Sequence, residues 1–87
     1  MKIFKYLLAV TDVQCIEMPM GSEILTVQMQ GDVACLWALV NPENPMHKKT
    51  ILICGTGHQL DAHPGYYIGT FQVHGGSLVF HVFEQRV

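Results

Sequence analysis

The chain has 87 residues, 49% of them hydrophobic and 14% charged, with a formal net charge of −2. That length bounds the fold to one domain over residues 1–87 with a modest core, and five Lys and Arg in all leave no cation footprint for duplex nucleic acid. With so few charges some apolar surface must stay outside, so a homo-oligomer, a dimer or higher, is expected.

Residues 2–10 alternate weakly and read as a strand that Thr11-Asp12 breaks. The basic start MKIFKYLLAV is interrupted by Lys5 and ends at Asp12. That is too short for a signal-peptide core or a membrane span, so a cytoplasmic setting with no membrane partner is expected. Residues 13–18, VQCIEM, read as a second short strand, and MPMGSE as a turn, with Pro19 fixing φ and Gly21 permissive. Gly31-Asp32 between two apolar, β-branched runs is a two-residue hairpin signal. Its register sets Gln30 opposite Val33, Gln28 opposite Cys35, Thr26 opposite Trp37 and Ile24 opposite Leu39. Alternation then gives one apolar face of Leu25, Val27, Met29, Ala34, Leu36 and Ala38.

Residues 41–49, NPENPMHKK, read as a long exposed polar loop, whose closing triplet His47-Lys48-Lys49 reads as a solvated strand start. ILIC at 51–54 is a buried strand, followed by the loop GTGHQLDAHPG. A closing hairpin runs over 66–84 around Gly75-Gly76, and 85–87 is a tail. In that hairpin Phe71, Val73, Leu78, Phe80 and Val82 share one face. Ile68, Thr70, Gln72, Val79, His81 and Phe83 share the other. Apolar residues never recur at helical spacing over a long window, so little helix is expected.

A shift of 44 positions lays the first hairpin on the second without a gap, with seven identities in the 36 positions from Lys5 to Val40. Lys5 falls on Lys49, Leu8 on Leu52, Gly21 on Gly65, Ile24 on Ile68, Thr26 on Thr70, Gln28 on Gln72 and Gly31 on Gly75. A repeat of half the chain length predicts an all-β domain, a small sandwich or partly open barrel of about six to eight antiparallel strands. Its half repeats are about 1–44 and 45–87. The loop GTGHQLDAHPG is where the copies diverge most.

Gly55-Thr56-Gly57-His58 after a strand invites comparison with anion-binding loops, whose glycines let backbone N–H groups converge on one anion. The following helix and the complete dinucleotide or P-loop fingerprint are missing, and a tight turn explains the glycines equally well. Five histidines offer one H-x4-H spacing without a matching pair, so no metal site and no cofactor are expected. Cys15, Cys35 and Cys54 are odd in number with no C-x-x-C, as free thiols would be. Cys54, His58 and Asp61 form a triad only on paper, because a thiol ending an apolar run is usually inert; no catalytic residue is assigned. Trp37, Tyr66 and Tyr67 are the aromatics suited to stack on a planar group, with half-buried core filling as their plainer role.

The strings IEMP, LWALV, GTGH, YIGTFQ and HGG-LVFHVFE, carried by Ile16–Pro19, Leu36–Val40, Gly55–His58, Tyr67–Gln72 and His74–Glu84, resemble a family of small uncharacterised phage and prophage proteins. The resemblance implies an accessory, counter-defence activity inside a bacterial host. Small β-rich phage proteins include sponges that hold nucleotide immune signals without cleaving them, and inhibitors that dock on defence proteins. The leading expectation is a non-enzymatic sponge for a nucleotide-derived signal, such as a cyclic ADP-ribose isomer or cyclic dinucleotide, held in pockets of a homo-oligomer. Gly55, Thr56, Gly57 and His58 would meet phosphate, with Lys48 or Lys49 of a neighbouring subunit supplying charge. Trp37, Tyr66 or Tyr67 would stack the base, and Thr70, Gln72, His74 and His81 would supply hydrogen bonds. The alternatives are a protein–protein inhibitor of a host defence enzyme acting through an exposed sheet face or edge, and a small hydrolase or metal-binding protein.

Overall fold

The computed structural model describes residues 1–86; the last position of the tail, Val87, lies outside them. The strands are β1 (Lys2–Leu7), β2 (Val13–Pro19), β3 (Glu23–Gln30), β4 (Val33–Val40), β5 (Met46–Gly55), β6 (Tyr66–Val73) and β7 (Leu78–Glu84). The only helical feature among the described residues is a short 3₁₀ turn at His74–Gly76. All pairings are antiparallel and build two sheets, one of three strands in the order β1-β4-β3 and one of four in the order β2-β5-β7-β6. The sheets are not closed into a barrel. The fold is therefore a small all-β sandwich.

The repeat is visible in the topology. β1, β3 and β4 of the first unit correspond to β5, β6 and β7 of the second, and each set forms its own sheet in the same order. The units do not stay separate, however. β2 leaves the first unit and pairs with the outer edge of β5. Gln14 pins the crossing, accepting from Ala9 N at 3.1 Å and donating to Ala9 O at 2.6 Å. The matching residues of the second unit, 57–63, form no strand.

Alternation builds the core. Leu8, Val27, Ala34 and Leu36 face Ile51, Ile53, Phe71 and Val82 from the other sheet. β4 is apolar throughout because it is the central strand of its sheet. On its outer side Cys35 is nevertheless buried. Lys5 donates to Gln30 Oε1 at 2.7 Å, and the two residues belong to the strands flanking β4, so the pair spans it over the thiol.

Two corrections to the sequence reading have their origin in one kind of irregularity. The register of the first hairpin holds from Gln30/Val33 to Thr26/Trp37, but Leu25 has no partner and Ile24 then pairs with Ala38 rather than Leu39. A bulge leaves the extra residue outside the ladder and reverses the facing of the residues beyond it. Leu25 is thereby exposed at 42%, and Ile24 packs against the core. The second hairpin bulges at Ile68, between Tyr67/Phe83 and Gly69/Val82. A further correction concerns 41–49: β5 already begins at Met46, and its first residues pair with β2. Only 41–45 is loop, tied down by Asn44, whose Nδ2 donates to Met20 O at 2.9 Å.

Candidate functional site

The richest polar arrangement lies on the outer face of the four-stranded sheet. His81 of β7 stands opposite Thr70 of β6 and Cys54 of β5, and residues opposite one another in an antiparallel pair share a face. Thr70 Oγ1 lies 3.0 Å from His81 Nδ1, and Thr56 Oγ1 lies 2.7 Å from His81 Nε2. Tyr67 OH reaches Thr70 Oγ1 at 2.5 Å. Residues three apart on a regular strand point to opposite sides; the bulge at Ile68 returns Tyr67 to the side of Thr70. Phe83, two positions from His81, meets Tyr67 edge to face with centroids 5.5 Å apart.

This relay has a definite proton logic. A neutral imidazole donates from one nitrogen and accepts at the other, so the two threonines must play opposite parts. The two contacts hold the ring in its plane, and reversing both hydroxyls accommodates either tautomer. Among the described residues no carboxylate joins it.

Beside the relay, a cleft of about 420 Å³ opens between the end of β5 and residues 58–64, lined among others by Asp12, Cys54, His58, Asp61, His63 and Gln85. Cys54 borders both features. Burial, and then the carboxylate of Asp12, push its thiol pKa up. The cleft thus gathers Cys54, His58 and Asp61, but it holds the sulfur as a thiol, the form that is not a nucleophile. Asp12 and Gln85 were missed from sequence because they come from distant segments with no local signature.

The glycine-rich turn has another structural role. Thr56 N donates to Val79 O at 3.2 Å and His58 N to Gly55 O at 3.1 Å, so two amides of the would-be anion loop are already engaged. Gly55 is the seat of the His58 ring, whose Cε1 a Cβ there would meet at 2.8 Å. Gly57 is an exposed turn residue.

The remaining candidates lie apart. Trp37 is half-buried on the outer face of the other sheet, opposite Lys5 and Thr26. Tyr66 is at the start of β6 with the Arg86 guanidinium 4.9 Å from its ring centre. Gln72 and His74 line a wider opening of about 900 Å³ between the two hairpin tips, with Asp32. Lys49 is bound to Glu84 at 2.7 Å, while Lys48 is exposed opposite Glu17. Among the described residues no three His, Cys, Asp or Glu side chains gather to hold a metal. Among them, too, no helix is long and apolar enough to cross a membrane.

Fold and site together define a two-sheet antiparallel sandwich with a hydroxyl–imidazole relay on one outer face. The chain belongs to the family described as a domain of unknown function, DUF7352, which it matches over residues 1–87. No curated protein and no solved structure matches it.

Proposed function

We propose that the protein binds a nucleotide-derived small molecule without transforming it. The observation that carries this reading is the Tyr67–Thr70–His81–Thr56 relay standing beside a cleft of about 420 Å³, within the range of small-molecule sites. Rings and hydroxyls at one place suit a nucleoside: an aromatic face for the base, and fixed donors and acceptors for its polar edge. Asp12 and Asp61 are acceptors for ribose hydroxyls. They also make the cleft a poor seat for phosphate, which is better met at its open mouth or by a neighbouring subunit's Lys48. The protonated thiol of Cys54 and the lack of a carboxylate on His81 favour holding over cleaving. In the setting implied by the resemblance to phage proteins, this is a sponge that withdraws an immune signal, such as a cyclic ADP-ribose isomer or a cyclic dinucleotide, from a bacterial host.

The test is a thermal-shift screen of the native protein against cyclic and linear ADP-ribose compounds and cyclic dinucleotides, since a ligand of the folded state raises Tm by mass action. A shift by one of them, with that compound recovered unaltered after heat denaturation, supports the proposal. No shift with any of them, or recovery of a cleaved product, overturns it.

A further inference from the structure

The two units are completed unequally. β2 serves as the fourth strand of the second unit's sheet by pairing with β5, while residues 57–63 offer β1 no strand in return. The first sheet therefore stops one strand short, at the outer edge of β1. Natural sheets blunt their edges with bulges, prolines or charges. Among the described residues β3 and β6 carry bulges and β2 ends in Pro19, but β1 has neither. Of its two lysines, Lys5 in the middle of the strand is drawn back across its own sheet to Gln30, and the exposed Lys2 stands at the strand's first position. Ile3 is 60% exposed and Leu7 68%.

We propose that β1 pairs with β1 of a second copy about a twofold axis at Phe4, joining two three-stranded sheets into one continuous sheet of six. Backbone alternation fixes what is available. Leu8 N donates to Ala34 O, so the N–H and C=O groups of Ile3, Lys5 and Leu7 point away from β4. A twofold antiparallel pair centred on Phe4 sets Ile3 against Lys5, Lys2 against Tyr6 and Leu7 against Met1. The outward-pointing groups then meet one another. No like charges are opposed, and the apolar stem of Lys5 covers Ile3. Centring on Lys5 would set two ammonium groups face to face, which is unfavourable. Centring on Ile3 would pair only Lys2–Phe4 of the strand. The surface is self-complementary in one register, as an isologous contact requires.

Sedimentation equilibrium over a concentration series tests this independently of any ligand. The unaltered protein is expected to dimerise. Ile3→Lys puts two cations across the junction and is expected to weaken the dimer at least tenfold, with circular dichroism unchanged. Ile3→Lys combined with Lys5→Glu turns the like-charged facing pair into an ammonium–carboxylate pair and is expected to restore the dimer. A monomer throughout the series overturns the proposal, including one whose β1 edge instead captures a strand of another protein. So does a dimer indifferent to Ile3→Lys, or one that the double variant fails to restore.

Discussion

Gly69 of β6 lies against Val27 of β3, so close that a Cβ at position 69 would stand 2.8 Å from Val27 Cγ1. The two residues are on edge strands of different sheets, and their contact seals one long side of the sandwich. Gly69 follows the bulge at Ile68 and pairs with the fully buried Val82. The missing side chain is what lets the two sheets approach there. Gly69→Ala should destabilise the fold by about 1–3 kcal/mol through overpacking. Val27→Ala in the same chain should recover part of that loss, although alone it opens a cavity. A urea-unfolding double-mutant cycle measures the coupling; additive effects would show that the two residues do not press on each other.

The repeat pairs Gly21 with Gly65, and both have positive φ, +79° and +123°. Their surroundings differ. Nothing lies within 4 Å of a Cβ at Gly21, whereas one at Gly65 would collide with the Glu84 carbonyl oxygen and crowd the Gln85 and Arg86 backbone. Gly21→Ala should therefore cost only the backbone strain, about 1 kcal/mol. Gly65→Ala should cost several-fold more, because rigid main chain is in the way. Comparison of the two Tm values decides the point: equal losses would mean that φ alone keeps both glycines.

What the sequence carried well was period and pairing; what it hid were the places where one residue breaks the period. Alternation around Gly31-Asp32 locates Thr26 opposite Trp37, and the repeat then locates Thr70 opposite His81. An extra residue in a strand leaves no apolar mark of its own, so Leu25 reads as core, and strict alternation would turn Tyr67 away from Thr70. The crossing of β2 was equally silent, since alternating side chains state which face is apolar but not which sheet receives the strand. His47, Lys48 and Lys49 close the polar run 41–49 but also read as a solvated strand start, and they do pair with Met18, Glu17 and Ile16 at a half-exposed sheet end. Trp37 and His81 do occupy equivalent positions. Each unit builds its own sheet, so those positions end on opposite outsides of the sandwich, and Trp37 cannot join the relay.

Alkaline pH should weaken the protein before it reaches the tyrosine range. Burial, and then Asp12, raise the Cys54 thiol pKa in the folded state, so the folded chain holds its proton while the unfolded chain has begun to release it. The unfolded state then binds fewer protons, and stability falls as pH rises. The loss should begin near the ordinary thiol pKa, about 8.5, and continue upward. Tyr6, whose phenol pKa burial also raises, adds a second decline above about 10. Urea midpoints measured from neutral to alkaline pH should show the first decline disappear in Cys54→Ser and shrink in Asp12→Asn. A decline unchanged in Cys54→Ser would assign it to other groups.

Thr70 is the branch point of the relay, bonded both to His81 Nδ1 and to Tyr67 OH. Thr70→Val keeps the shape and removes both bonds. Each is solvent-accessible on one side, so the fold should lose only about 0.5–1.5 kcal/mol, and the hydrophobic packing beneath should be untouched. The consequence for binding is larger. A ligand present at a hundred times its Kd stabilises the native state by about 2.7 kcal/mol, and that increment depends on an imidazole held in its plane by both hydroxyls. Thr70→Val should abolish most of the ligand-induced Tm shift and broaden the His81 ring nitrogen resonances in NMR, whereas Gln72→Ala, outside the relay, should leave those resonances sharp. If Thr70→Val lowers the unliganded Tm by that small amount but leaves the ligand shift intact, the relay is a surface brace and the binding surface lies elsewhere.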